Sequence, residues 1–478
     1  MSATDAASGT DLAFAGVARQ VELVRSGEVT SRALVELYLD RILRLDQRLN
    51  AFRVVFAEQA LAAADQADAR CRAGDQRPLL GVPLAIKDDQ DVAGEVTAYG
   101  SLAHGGPAAA DSEIVRRLRS AGAVIVGKTN VPELMTMPWT ESSAYGATHN
   151  PWDLDRTPGG SSGGSGAAVA AGLVAAATAS DGAGSIRIPA GACGLVGLKP
   201  QRGRVPGLAN DWHGLSVLGF LTRTVADTAL LYDVVKDGGP SFAEAAGREP
   251  GRLRIAMSAR VPQPVLARAD GEQRGGLEAM AARLRALGHE VVERDPDYGT
   301  VFTRAVARYL RGIHDDAMAL PRSDRLTRVT RGLARMGAAV PPSLVAKAIE
   351  AEDSDRERIN RIFEAADVLM TPVFTRRPTR VLEYEGRGGQ WSVNAAARIV
   401  PYAGVFNHLG QLDVGRAHES GGRCSGHPSS RSSWEARASR TGSPSGGAAN
   451  WTASGNPSGV DPAGSEIAGW PRWLKTPA

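Results

Sequence analysis

The sequence predicts an α/β fold: one large domain built on a mostly parallel sheet. Short apolar runs such as Pro83-Leu-Ala-Ile86 and Ala123-Val-Ile-Val126 alternate with helical patterns such as Ser112 to Ser120. That alternation is the pattern of buried strands joined by helices. The chain has 478 residues, 43% of them apolar, which is enough for a large core. The texture persists to about Gln411 and then breaks off.

The elements follow in order. Residues 11–75 read as helical. Thr30 is placed as an N-cap, and Leu34, Leu37, Tyr38, Ile42 and Leu45 recur at helical spacing behind it. Ala57 to Arg72 is a second, alanine-rich helix. The short strands begin after Leu80. Arg252-Leu-Arg-Ile-Ala-Met257, His289-Glu-Val-Val-Glu293 and Asp367-Val-Leu-Met370 read as further strands. Glu272 to Leu287 is amphipathic, with Gly288 at the position where a helix ends. No internal repeat is visible.

Composition excludes several classes. The net charge of +3 arises from 55 basic and 52 acidic residues, so no basic field points to nucleic acid. Cys71, Cys193 and Cys424 are scattered and odd in number, which fits a reducing compartment and neither a disulfide framework nor a metal motif. The eight histidines form no ligand set, and His314-Asp-Asp has no partner motif, so no metal and no cofactor is expected. Met1 to Ser8 lacks the basic and apolar regions of a signal peptide. Ala167 to Ala179 is too short to span a bilayer. These features predict a cytoplasmic protein without membrane contacts.

Three segments carry chemistry. Thr157-Pro-Gly-Gly-Ser-Ser-Gly-Gly-Ser-Gly-Ala-Ala-Val-Ala-Ala171 is a glycine–serine loop running into an apolar helix. A phosphate cradle would need a lysine at the P-loop position, which is missing. A flexible linker would not run straight into an Ala/Val helix. In Ser180-Asp-Gly-Ala-Gly-Ser-Ile-Arg-Ile-Pro-Ala190, the N–H groups of Gly182, Ala183 and Gly184 can converge on one point just before Ser185, as in an oxyanion hole. Gly81-Val-Pro-Leu-Ala-Ile-Lys-Asp-Asp89 places Lys87 at the end of a buried strand. Each piece alone also reads as an ordinary turn or strand end.

In this order the three segments resemble the amidase signature family, known from fatty acid amide hydrolase, bacterial amidases and the A subunit of the aminoacyl-tRNA amidotransferase. The resemblance runs from about residue 15 to 411. It is densest from Gly81 to Pro200, where Ala121-Gly-Ala-Val-Ile-Val-Gly-Lys-Thr-Asn-Val-Pro-Glu133, Asn150-Pro-Trp-Asp153 and Cys193-Gly-Leu-Val-Gly-Leu-Lys-Pro200 also match. It implies a single domain over 11–411, with an N-terminal helical part (11–75) and a signature core (80–206). Its central sheet would be mixed, mostly parallel and covered by helices on both faces. The implied activity is hydrolysis of a small-molecule carboxamide to a carboxylate plus ammonia or amine, and a homodimer is allowed.

The resemblance also assigns roles. Ser185 corresponds to the nucleophile that forms the acyl-enzyme. Ser161 corresponds to the bridging serine, after a cis Gly160–Ser161 bond, and Lys87 to the terminal base. Met135, Trp139 and Tyr145 fall in the segment that lines the acyl pocket of relatives. The chemistry is coherent. A serine hydroxyl needs a base, and no Gly-x-Ser-x-Gly elbow supplies one. A lysine serves only when neutral, so Lys87 must be buried. Ser162 is placed to support the bridging serine. Asp181 and Arg187 flank the nucleophile and either pair to hold the loop or lie solvated. The family loop often carries glycine where this chain has Ala183, which bears on the loop conformation. The amidotransferase subunit is the alternative reading. It is disfavoured because Gln201-Arg-Gly-Arg-Val-Pro206 replaces that subunit's Thr-Tyr-Gly-Arg-Val-Ser type.

Residues 412–478 are rich in Ser, Gly, Pro and Arg, without strand or helix period, a composition of disorder. They also read as an out-of-frame translation. Read from third codon bases, Arg431-Ser-Ser-Trp-Glu-Ala-Arg-Ala438 permits Gln-Leu-Val-Gly, then Ser or Gly, then Pro-Gly. That segment resembles the C-terminal part of amidases of this family. On this reading the last core strands are missing, and an inactive product is a further alternative.

Overall fold

The computed structural model describes residues 9–411 except Ala209. The expectation for residues 412–478 lies outside the described residues.

Five strands form the main sheet, in the order Phe52–Val55, Val124–Thr129, Pro83–Lys87, Ala176–Asp181 and Val217–Leu221. The three central strands are parallel and both outer ones antiparallel. Arg254–Met257 lies between Val368–Met370 and Glu290–Glu293 in a second, wholly parallel sheet. The architecture is thus mixed and mostly parallel, as expected.

Side chains alternate between the two faces of the main sheet, and each face buries its own core. Leu84, Ile86, Ile125 and Phe220 pack on one side against Val17, Ile114, Leu118 and Tyr232. Ala85, Val126, Ala177 and Leu221 pack on the other against Val35, Ala60, Ala167 and Cys193. Helices therefore cover both faces. The expected caps form: Thr30 Oγ1 accepts from the Ala33 N–H at 3.1 Å, and Gly288 follows helix Gly271–Ala286 with φ of 91°.

One difference bears directly on the site. The apolar stretch after the glycine–serine loop is two elements. Helix Gly163–Ala170 ends, and Ala176–Asp181 turns back as a fully buried strand. This strand pairs Ala176 with Leu84 and Ala177 with Ala85, so its C-terminal end emerges beside Lys87. The open ends of neighbouring parallel strands are where α/β folds place their chemistry.

Candidate active site

Lys87 closes its strand with no solvent exposure. Its backbone N–H donates to Thr178 Oγ1 at 2.8 Å, which locks the strand end. Its Nζ donates to Ser161 Oγ at 2.9 Å and to Ser180 Oγ at 2.6 Å, and lies 3.2 Å from Asp89 Oδ2. Burial drives the Lys87 ammonium below its ordinary value, opposed first by Asp89 and then by Asp181.

Ser161 is buried, and the Gly160–Ser161 peptide is cis. Glycine is required at 160, because a Cβ there would lie 2.7 Å from the Met137 carbonyl oxygen and 2.8 Å from the Trp139 nitrogen. The buried Ser162 hydroxyl donates to the Ser180 carbonyl and accepts from its N–H, both at 3.4 Å, tying the glycine–serine loop to the strand that leads to Ser185.

Asp181 organises the turn that carries Ser185. Its carboxylate accepts from the Gly184 N–H at 2.6 Å and the Ile186 N–H at 3.1 Å, and meets Arg187 through Nε (2.9 Å) and Nη2 (2.8 Å). Both side chains are fully buried, so the pair holds the loop and is not solvated. Burial alone would raise the Asp181 carboxyl. Arg187 and the Asn407 amide overcome this and hold it well below the usual carboxylate range.

Of the expected oxyanion donors, the Gly184 N–H donates to Asp181 Oδ1 at 2.6 Å. Among the described residues, the N–H groups of Gly182, Ala183 and Ser185 have no acceptor. Gly184 has φ of 120°, so glycine is required there, whereas Ala183 is not among the positive-φ positions and its methyl is accommodated. The half-buried Ser185 makes no hydrogen bond among the described residues. Lys87–Ser161 is thus formed, while Ser161–Ser185 is the link left open.

Met135, Met137, Trp139 and Trp212 belong to one apolar cluster with Ile188, just after the Ser185 loop. Tyr145 does not join it. Its ring faces the Arg53 guanidinium at 5.9 Å. Sequence reasoning missed Asp89, Ser180 and Asn407. The first two flank named residues, Lys87 and Asp181. Asn407 lies 226 positions from Asp181, and no local signal marks it; it donates to the Asp181 carboxylate at 2.9 Å and carbonyl at 2.8 Å.

The model of the family described as Amidase matches residues 33–414. The chain belongs to the amidase signature family. It is 52% identical over 408 residues to "Putative amidase AmiB2" of Mycobacterium tuberculosis, covering 84% of this chain and 88% of that protein. It is 33% identical over 439 residues to the 6-aminohexanoate-cyclic-dimer hydrolase of Paenarthrobacter ureafaciens, covering 82% and 85%. A structure of 6-aminohexanoate cyclic dimer hydrolase complexed with substrate superposes with a TM-score of 0.76 at 30% identity, covering 85% of this chain and 91% of that one. The chain is accordingly an amidase, a hydrolase of amide C–N bonds. Among the described residues, no helix is long and apolar enough to cross a membrane.

Proposed function

We propose that this amidase works through an acyl-enzyme on Ser185, with Ser161 as bridge and Lys87 as base. The observation that carries the proposal is the fully buried Lys87 Nζ at 2.9 Å from Ser161 Oγ. In the first step Ser185 Oγ bonds to the carboxamide carbon. Its proton passes to Ser161, whose own proton passes to Lys87. The carbonyl oxygen gains the negative charge, and we assign as its donors the N–H groups of Gly182, Ala183 and Ser185, which have no acceptor among the described residues. The C–N bond then breaks. Ser161 gives its proton to the leaving nitrogen and is resupplied by Lys87. Water enters, loses a proton along the same relay, and attacks the ester carbon. The ester C–O bond breaks, Ser185 recovers its proton, and a carboxylic acid leaves, ionising at neutral pH.

The missing Ser185–Ser161 hydrogen bond fits this scheme, since catalytic hydrogen bonds tighten in the substrate complex. Substrates are small amides whose acyl group packs on Met135, Met137, Trp139 and Trp212. The test is a panel of aliphatic, aryl, amino-acid and cyclic amides, read by release of ammonia, amine or new carboxylate. Turnover of one class that vanishes in Ser185→Ala supports the reading. Turnover that survives Ser185→Ala refutes it.

A further inference from the structure

We propose that Asp89 is a positioning residue: it holds the Ser180 proton, so that Ser180 can only accept an N–H from Lys87 and the lone pair of the neutral amine is left for Ser161. The inference rests on the assignment of Lys87 as base.

A lysine ammonium has three N–H bonds, and three acceptors lie within reach of this one: Ser161 Oγ at 2.9 Å, Ser180 Oγ at 2.6 Å and Asp89 Oδ2 at 3.2 Å. The three differ in what they can do next. An ionised Asp89 can only accept. Ser180 has committed its own proton to Asp89 Oδ2 at 2.5 Å, so it meets Lys87 with a lone pair. Only Ser161 still has a proton to give. When Lys87 becomes neutral, two N–H bonds remain. Ser180 accepts one of them, and the lone pair is left for Ser161 Oγ, the one neighbour of the three with a proton to give, while Asp89 acts through its charge and through Ser180. Without Asp89, Ser180 is free to turn its proton toward Lys87 and compete for the lone pair.

The surroundings single out Asp89. Its side chain is 3% exposed. Its neighbour Asp88 is occupied elsewhere, by Arg53 at 2.7 Å and Lys128 at 2.9 Å. Asp181 also faces Lys87 but is paired with Arg187. Tyr99 and Asp316 feel the Asp89 charge from the adjoining loop and from helix Val301–Ala319, and neither adds a cation. Asp89 is therefore the charge that most opposes the effect of burial on Lys87. The wild-type rate should rise with pH as this coupled group loses its proton, because the neutral amine is the active form.

The test is the pH profile of Ser185 labelling by a fluorophosphonate on the full 478-residue chain, for wild type, Asp89→Asn and Ser180→Ala. Asp89→Asn keeps the shape and removes the charge. Its acid limb should move to lower pH by about one to three units, and its plateau rate should fall about tenfold or more. Ser180→Ala keeps the charge and removes one acceptor. Its plateau should fall while its limb moves less than that of Asp89→Asn. An Asp89→Asn limb that stays put or moves to higher pH overturns the proposal. If Asp89→Asn does not fold, Ser180→Ala decides, and an unchanged plateau overturns the proposal. Absence of wild-type labelling at Ser185 would instead sink the assignment of the triad, and this inference with it.

Discussion

Replacing Arg187 by methionine should cost this protein about 3–5 kcal/mol at neutral pH, the usual result of stranding one partner of a buried ion pair. Asp181 has no solvent exposure, and five hydrogen-bond donors converge on its carboxylate. Arg187→Met removes two of them together with the full positive charge paired with it. Gly184, Ile186 and Asn407 remain, so the carboxylate keeps neutral donors and loses its counter-charge. The pH dependence has a definite sign. The wild-type Asp181 carboxyl is held below its unfolded value of about 3.9. Its contribution is therefore complete above that value and disappears as pH falls through the folded one. In the variant, the unpaired carboxylate gains from protonation. The stability deficit should thus be largest near pH 7 and shrink as pH is lowered toward 3. Urea unfolding of both proteins at several pH values measures it. A deficit below about 1 kcal/mol at pH 7, or one that does not change with pH, would refute the argument that this pair is a buried, charge-compensated brace.

Three further outcomes are expected. Ser185→Ala should abolish acylation, and Lys87→Ala and Ser161→Ala should each lower kcat/KM by about three orders of magnitude or more; near wild-type turnover of Lys87→Ala at neutral pH would remove it as the base. Fluorophosphonate should label Ser185, whereas labelling of Ser161 would reverse the two roles. Gly184→Ala should destabilise the protein by about 1–3 kcal/mol and slow labelling sharply, since its Cβ would enter at φ of 120° and lie 2.7 Å from both Ala403 Cβ and Ile188 Cδ1; unfolding and labelling indistinguishable from wild type would contradict the loop geometry. Resequencing the gene should reveal a frame change near codon 412 that restores the Gln-Leu-Val-Gly reading, a position close to residue 414 where the family match stops; an intact frame would establish the tail as genuine.

The parts of the fold legible in the sequence were those with a local cause. Thr30 caps its helix because its hydroxyl reaches the N–H three residues on, and the Pro83–Lys87 strand declares itself by an unbroken apolar run. Ala176-Ala-Thr-Ala-Ser-Asp181 declares nothing, since its small side chains have no period and little propensity. It is a strand because Pro83–Lys87 and Val217–Leu221 pair with it on either side and leave room for nothing larger. The site divides in the same way. Lys87, Ser161, Ser185, Asp181 and Arg187 sit in short segments whose residue types suggest their chemistry. The charges around them do not. Asp88 and Asp89 are adjacent in sequence, yet they serve opposite purposes because successive residues leaving a strand point to opposite sides. Asp88 turns toward the strands bearing Arg53 and Lys128 and is neutralised there, whereas Asp89 turns toward Ser180 and Lys87. Asp181 is satisfied by a guanidinium six residues later and an amide 226 residues later. Of the three carboxylates near the base, only Asp89 is left to share the Lys87 proton. Which carboxylate tunes the base is thus decided by strand geometry and distant partners, and the motif Lys-Asp-Asp cannot express it.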